Sequence, residues 1–168
     1  ALLAAAKDDK ILFQTHLTGG SALSKSLGAE IKQKLDSYPL SYSRIVVGIG
    51  PGSFTGTRVG ASMAQALAFG WNIPLYVASS LHAFAPANTS QYAVAIDARS
   101  GGVYLQLNQQ DPQRLSLTEA RNLLCNTPLM IASPHPSRIL ERLPELASCQ
   151  WLETRPEALS LKIGRAHV

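Results

Sequence analysis

A short turn rich in glycine and proline is the first place in this sequence where chemistry can be expected. Gly50-Pro51-Gly52 follows an apolar run and precedes a helix that Ser53 or Thr55 can cap. The free backbone amides at a helix N-terminus bind phosphate and other anions. The turn lacks the Lys-Ser/Thr pair of a P-loop and the glycine spacing of a dinucleotide-binding loop. Two interpretations therefore stay open. One is an anion site formed by Gly50, Gly52, Ser53 and Thr55, and the other is a tight turn that lets the helix approach the sheet.

A second polar pair, Asp97 and Arg99, stands at the end of a predicted strand, before the turn Ser100-Gly101-Gly102. A carboxylate and a guanidinium at a strand end can do acid or anion chemistry. They can equally serve structure, with hydrogen bonds that tie Arg99 to the hairpin. The sequence leaves the role of both residues open.

No further set of residues assembles a catalytic or metal site. The histidines are His16, His82, His135 and His167, and none lies within a helical turn of another, so no zinc pair is predicted. Cys125 and Cys149 lie far apart without ligand spacing, which predicts two free thiols. No Gly-x-Ser-x-Gly elbow is present. The sequence therefore predicts neither a catalytic constellation nor a bound metal.

Composition sets wider limits on the class of protein. Hydrophobic residues make up 46% of the 168 residues, which is enough for a sizeable core, and no run is long enough to cross a membrane. The formal net charge is +4, without a clustered basic run, so contact with RNA is allowed but not indicated. We expect a soluble cytoplasmic chain that makes no membrane contact.

The elements that carry the glycine turn form a β-turn-α-β unit. Ile45–Ile49 is a β-branched apolar run, which favours a strand covered on both faces, parallel to Leu75–Ala78. The helix between them ends at Gly70 and Asn72, and Pro74 prevents its continuation. An N-terminal hairpin around Lys7–Lys10 and a helix over Ser24–Leu35 precede this unit.

The predicted helix after the turn has a ridge of small residues. Gly56, Gly60, Ala64 and Ala68 recur every four residues, and Val59, Met63 and Leu67 lie beside them. Glycine inside a helix costs about 1 kcal/mol relative to alanine, so close approach of another backbone is the simplest explanation. That backbone belongs to the chain's own sheet or to a partner helix, and the two explanations are compatible because a helix has two sides. The predicted partner interface consists of Leu27, Ile31, Leu35, Gly56, Val59, Gly60, Met63, Ala64 and Leu67.

Two motifs resemble the TsaB (YeaZ) family. The first runs Gly50-Pro-Gly-Ser-Phe-Thr-Gly-Thr-Arg-Val-Gly and continues through Ala-Leu-Ala-Phe-Gly-Trp-Asn-Ile-Pro to Ser79-Ser80-Leu81. The second runs Ile96-Asp-Ala-Arg-Ser-Gly-Gly-Val-Tyr104, and the resemblance covers about residues 1–110. It implies an α/β fold of the ribonuclease-H-like, actin-like ATPase (ASKHA) type, with a mixed sheet, packed helices and two lobes. The family's first strand, with an Asp-Thr-Ser signature, is missing from this sequence.

The resemblance also implies a function. Proteins of this family are non-catalytic partner or scaffold subunits of the complex that transfers a threonylcarbamoyl group to adenosine 37 of tRNA. The resemblance implies that Gly56–Phe69 and Ser24–Leu35 dock onto a TsaD-type catalytic subunit or, in the lone chain, onto a second copy. A TsaE-type ATPase completes the complex, and contact with tRNA is indirect or weak. ATP or ADP and a metal ion are expected on the partner, with no cofactor on this chain.

Two alternatives remain at this point. One is an independent nucleotide-binding or phosphotransfer enzyme of the actin/Hsp70 fold, and the other is an M22-type metallopeptidase. For domain organisation we expect an N-terminal actin-like lobe over residues 1–97 and a smaller, less regular lobe over residues 98–168.

Overall fold

The structure is a computed structural model, and it describes residues 1–8, 10–17, 23–99 and 101–158. The last part of the lobe predicted over residues 98–168 lies outside the described residues, as do Asp9 and Ser100 in the two predicted turns. The described residues form two compact units, Ala1–Ser80 and residues 81–158.

The first unit opens with the predicted hairpin. Strands β1 (Leu2–Lys7) and β2 (Lys10–His16) pair antiparallel, with an irregularity between Ala5 and Ala6. The N-terminal amine donates a hydrogen bond to the carbonyl of Leu17 at 2.7 Å, which closes the open end of the hairpin. Helix α1 (Leu23–Ser37) follows and agrees with the predicted helix.

The predicted β-turn-α-β unit is present. Strand β3 (Ile45–Gly48) leads through the turn into helix α2 (Phe54–Trp71), and strand β4 (Leu75–Ala78) runs parallel to β3. Asn72 caps the end of α2 in the left-handed conformation, and its amide donates to the carbonyls of Ala68 and Phe69. This is the stop that the sequence predicted.

From its apolar sequence we expected Ile45–Ile49 to lie inside the sheet and not at its edge, and this prediction is wrong for the described residues. Among them β3 pairs with β4 alone, in a two-stranded sheet separate from the β1–β2 hairpin, and its residues are only partly buried. An apolar run predicts that a strand is covered, but it does not say which strands lie beside it. Strand β3 is therefore an edge strand in this structure.

The second unit is built on a five-stranded mixed sheet. Strand β5 is central: it is antiparallel to β6 and parallel to β8. The sheet order is β7-β6-β5-β8-β9, with β7 antiparallel to β6 and β9 parallel to β8. The strands are β5 (Tyr92–Asp97), β6 (Gly102–Leu107), β7 (Gln113–Ser116), β8 (Met130–Ser133) and β9 (Gln150–Glu153).

Short helices cover this sheet. The spacing of Ser116-Leu-Thr-Glu119 in the sequence predicts a capping box ahead of a helix. Helix α3 (Leu117–Asn126) begins with this capping box, in which Ser116 and Glu119 bond each other's backbone amides. Helix α4 (Pro136–Leu140) and a 3-10 helix over Pro144–Ser148 follow, and another 3-10 helix spans Ser80–Phe84. The core is formed by fully buried aliphatic side chains from these helices and from the sheet, including Leu81, Val94, Leu124, Ile131, Ile139 and Leu146.

The division of the chain differs from the predicted one. We expected a boundary between residues 97 and 98, whereas the structure divides after Ser80. The physical reason is that β5, which ends at Asp97, pairs with β6 from Ala93↔Leu107 to Asp97↔Val103. A boundary after Asp97 would cut this sheet. The second unit also carries the larger sheet, not the less regular structure that we expected.

Candidate functional site

The glycine–proline turn is held by Ser80, a contact that the sequence did not indicate. The amide of Gly50 donates to the Ser80 hydroxyl at 3.0 Å, and the amide of Ser80 donates to the Gly50 carbonyl at 2.8 Å. Gly50 has a φ of +109°, a conformation that favours glycine. The two hydrogen bonds therefore fix the start of the turn against the end of β4.

Gly48 makes this arrangement possible. A Cβ atom at position 48 would lie 2.7 Å from the Ser80 hydroxyl and 3.5 Å from the Ser80 Cα. Any side chain there would displace the hydroxyl that accepts from Gly50. The only sequence signal for this contact was a glycine that ends a β-branched strand, and such a glycine often marks close backbone approach.

The N-terminus of α2 is capped by Ser53 and not by Thr55. The Ser53 hydroxyl accepts from the amide of Gly56 at 3.3 Å, while Thr55 lies exposed in the first turn of the helix. Two amides near the predicted anion site, those of Gly50 and Gly56, are thus already hydrogen-bonded within the chain. The structure favours the tight-turn interpretation, and anion binding stays a prediction.

The small-residue ridge of α2 faces the chain's own sheet. A Cβ built on Gly60 would lie 4.0 Å from the Cγ2 of Val47 in β3, and Ala64 and Ala68 are buried. The neighbouring side of α2 meets α1, because a Cβ on Gly28 would lie 3.6 Å from the Met63 methyl. Gly60 therefore faces β3, although a distance of 4.0 Å leaves room for a Cβ atom and does not by itself require glycine.

Of the remaining predicted interface residues, Met63 packs against α1 at Gly28, and Val59 and Leu67 lie one turn to either side of Met63 on the same face of α2. Leu27 of α1 is buried. The others keep part of their surface exposed: Ile31, Leu35, Gly56, Val59, Met63 and Leu67. Whether they contact a partner stays a prediction.

The first unit also has exposed and partly exposed aromatic side chains, which the sequence patterns did not indicate. Phe69 is 91% exposed on α2, and Phe54, beside the turn, is 74% exposed with the Arg58 guanidinium 5.2 Å from its ring centre. Tyr42 stacks on Trp71, with ring centres 5.3 Å apart. Exposed apolar surface of this kind is typical of an interaction face.

In the second unit, Asp97 binds Arg142 in an ion pair. The Asp97 carboxylate accepts from the Arg142 guanidinium at 2.7 Å and from the amide of Arg99 at 3.1 Å. Both side chains of the pair are mostly shielded from water. Arg99 is exposed and has a φ of +57°, and the amide of Ala98 closes the turn on the carbonyl of Gly102. The structural interpretation of Asp97 is therefore supported, and its main partner is one that the sequence did not indicate.

His82 lies in the 3-10 helix over Ser80–Phe84, and its Nε2 atom is buried without a hydrogen-bond partner. Burial lowers the pKa of His82 below its usual value of 6.5, and the nearby Asp111 carboxylate partly opposes this.

No group of three metal-ligating side chains occurs within residues 1–8, 10–17, 23–99 and 101–158. Nor does any helix of that part of the chain have the length and apolar character to span a membrane.

The pKa of His82 predicts a loss of stability in acid. The unfolded chain takes up a proton at position 82 as the pH falls below about 6.5, while the folded chain resists it, so the free energy of unfolding should decrease below that pH and stay level above it. Urea unfolding of the wild type and of His82→Gln at pH 7.5 and at pH 5.5 checks this. The variant should lose less stability between the two pH values, and an equal loss would contradict the assignment.

Three comparisons with known proteins bear on identity. The model of the family described as "TsaD: tRNA N6-adenosine threonylcarbamoyltransferase" matches residues 22–139. The tRNA threonylcarbamoyladenosine biosynthesis protein TsaB of Bacillus subtilis is 44% identical over 78 residues, which cover 44% of this chain and 34% of that protein. The chain belongs to the TsaB (YeaZ) family. The TsaB protein of Haemophilus influenzae is 48% identical over 65 residues, covering 36% of this chain and 28% of its own length.

Two solved structures share the fold of this chain. YeaZ from Pseudomonas aeruginosa superposes with a TM-score of 0.73 at 22% identity, covering 95% of this chain and 82% of its own. A second structure, of an uncharacterized protein with similarity to peptidase YEAZ from the same organism, gives a TM-score of 0.74 at 19% identity, with the same coverage. The sequence matches to the TsaB proteins named above span only about a third of those proteins' length.

Proposed function

We propose that this chain acts in tRNA threonylcarbamoyladenosine biosynthesis as a non-catalytic subunit that docks onto a TsaD-type catalytic subunit. The observation that carries the proposal is the 40–48% identity to TsaB proteins of three bacteria, the third being Escherichia coli. The geometry supports a non-catalytic role, because the polar groups that could do chemistry bind other parts of the chain. Gly50 bonds Ser80, and Asp97 bonds Arg142.

The proposed docking surface is the outer edge of the seam between α1 and α2. Gly60 faces Val47 of β3 and Ala64 is buried, so in this proposal they support the helix and their more exposed neighbours make the contact with the partner. Val59 lies one turn before Met63 on the same face of α2 and keeps part of its surface exposed. Apolar residues that stay accessible beside a close helix pair can complete a bundle with helices of another subunit.

Further features follow from the same proposal. We infer a two-lobed, actin-like ASKHA fold in which the free edge of β3 pairs with an additional strand. The support is that β3 is wholly apolar yet pairs only with β4 among the described strands. The lone chain would form a homodimer through α1 and α2, and a TsaE-type ATPase would join the complex in the cytoplasm. Contact with tRNA would be indirect or weak, with nucleotide and metal bound on the TsaD-type subunit.

Co-purification with a TsaD-type protein from the same source tests the function. We expect the tagged chain to retain an untagged TsaD-type subunit through gel filtration, and we expect the chain alone to hydrolyse neither ATP nor peptides. Failure to bind any TsaD-type protein would refute the docking. ATP turnover that follows the chain through purification would favour an independent enzyme.

Introducing a negative charge at either of two positions on α2 tests the proposed docking surface. Val59→Asp should weaken binding to the TsaD-type subunit at least tenfold, about 1.4 kcal/mol, because it places a carboxylate in an apolar interface. Ser62→Asp, on the exposed face of the same helix, is the matched control and should bind normally. Isothermal titration with variants of confirmed melting temperature measures both. Loss of binding by Ser62→Asp alone would move the interface to the exposed face.

A further inference from the structure

The two cysteines of the second unit lie close to each other, although 24 positions separate them in the sequence. The Cys149 sulfur lies 3.9 Å from the carbonyl oxygen of Leu124. That carbonyl belongs to the peptide bond that joins Leu124 to Cys125, so its oxygen lies about 3 Å from the Cα of Cys125. The Cys149 sulfur therefore lies within about 7 Å of the Cys125 Cα.

The positions of Cys125 and Cys149 at the ends of their elements allow the two sulfur atoms to approach each other. Cys125 is the penultimate residue of α3, which ends at Asn126, and last turns of helices fray readily. Cys149 stands between the 3-10 helix that ends at Ser148 and the first residue of β9. A disulfide needs Cα atoms about 4.4–6.8 Å apart, so the proposal requires this helix end to move until the two Cα atoms lie in that range.

The two thiols differ in accessibility. Cys125 is exposed, whereas Cys149 is partly buried against the hydrophobic core of the second unit. Burial raises the pKa of the Cys149 thiol, and the neighbouring Cys125 adds to the rise. An oxidant in solution therefore meets Cys125 first, and Cys149 is the thiol placed to react second.

We propose that Cys125 and Cys149 form an intramolecular disulfide when the chain meets a low-molecular-weight disulfide such as oxidised glutathione. The Cys125 thiolate attacks one sulfur of oxidised glutathione, which breaks the S–S bond and releases one glutathione thiolate. The Cys149 thiolate then attacks the Cys125 sulfur of the mixed disulfide and releases the second glutathione. The two protein thiols lose two electrons and two protons, and one oxidised glutathione becomes two reduced molecules.

The bond would join the C-terminal turn of α3 to the start of β9. Reduction by excess thiol would restore the free pair, so the modification is reversible. This site lies in the second unit and is independent of the docking proposed for α1 and α2.

Intact-mass spectrometry after incubation with excess oxidised glutathione tests the proposal, with the full chain and two serine variants. The wild type should lose about 2 Da, corresponding to two hydrogens, and should carry no retained glutathione. Cys149→Ser should instead keep one glutathione on Cys125, because the second thiol is missing. Cys125→Ser should stay largely unmodified, and peptide mapping should find Cys125 linked to Cys149 in the wild type.

Three results would overturn the proposal. A stable glutathione adduct on the wild type, equal to that on Cys149→Ser, would show that Cys149 does not reach Cys125. Disulfide-linked dimers would show that the reactive partner is another copy. A wild type that stays fully reduced would show that Cys125 does not react. The serine substitutions are nearly isosteric, and unchanged melting temperatures confirm that they report on the thiols.

Discussion

Replacing Gly102 with alanine is expected to lower the free energy of unfolding of the second unit by about 2–4 kcal/mol. Gly102 is buried, and a Cβ at this position would lie 2.5 Å from the carbonyl oxygen of Leu115. That oxygen is part of the β7 backbone, which pairs with β6 in a register that sets Gly102 opposite Ser116. Backbone in a paired strand cannot rotate away as a side chain can, so the two strands must separate locally.

Urea unfolding followed by the fluorescence of Trp151 measures this effect, because that indole lies in the same unit and donates to the Leu146 carbonyl. The neighbouring Gly101 is the matched control. It has a φ of +89° but open space around its Cα, so Gly101→Ala should cost only about 1–2 kcal/mol of backbone strain. Equal losses for the two variants would mean that the contact between β6 and β7 is looser than described.

The features that were predicted best from the sequence are those set by residues a few positions apart, such as helix caps and helix stops. The capping box at Ser116 and Glu119 was predicted because its two partners are three residues apart, and both hydrogen bonds are present. The stop of α2 at Asn72, before Pro74, was predicted for the same reason. The conformational preferences of such segments are largely local, so a single sequence contains most of the information.

Pairing between distant segments was not predictable in the same way. Strand β7 reads Gln-Arg-Leu-Ser, which has no strand pattern, and it forms because β6 offers an unpaired edge. The apolar run of β3 predicted a covered strand, yet among the described strands it pairs only with β4. Hydrophobicity reports that a strand is buried in some context, but strand order is decided by contacts far along the chain.

The candidate site shows the same limit. The Gly50-Pro51-Gly52 turn was recognisable in the sequence, but Ser80 holds it from 30 residues away. The small-residue ridge of α2 was recognisable too, but not the direction it faces, because close packing on a sheet and on a partner helix both favour small residues. A Cβ built on Gly60 would lie 4.0 Å from the Cγ2 of Val47, so this glycine faces β3.

The ion pair between Asp97 and Arg142 is expected to make the second large contribution to the free energy of unfolding that a single substitution can remove. Asp97→Ala and Arg142→Met should each lower the free energy of unfolding by about 1–3 kcal/mol, because each leaves a largely shielded charge without its partner. Asp97→Asn should cost less than Asp97→Ala, since the amide oxygen can still accept from the amide of Arg99.

A double-mutant cycle separates this structural role from a chemical one. If the pair acts as a unit, Asp97→Ala combined with Arg142→Met should cost less than the sum of the two single losses, by about 1 kcal/mol, in urea unfolding. Additive losses would show that the 2.7 Å contact contributes nothing of its own.

Threonylcarbamoyl transfer by the proposed complex with a TsaD-type subunit tests for a chemical role of Asp97. Under the structural interpretation, activity at a temperature where Asp97→Asn is fully folded should equal that of the wild type. A loss of transfer by this folded variant would instead show that the Asp97 carboxylate takes part in the reaction, because its hydrogen bond to Arg99 would still be available while its charge would be gone.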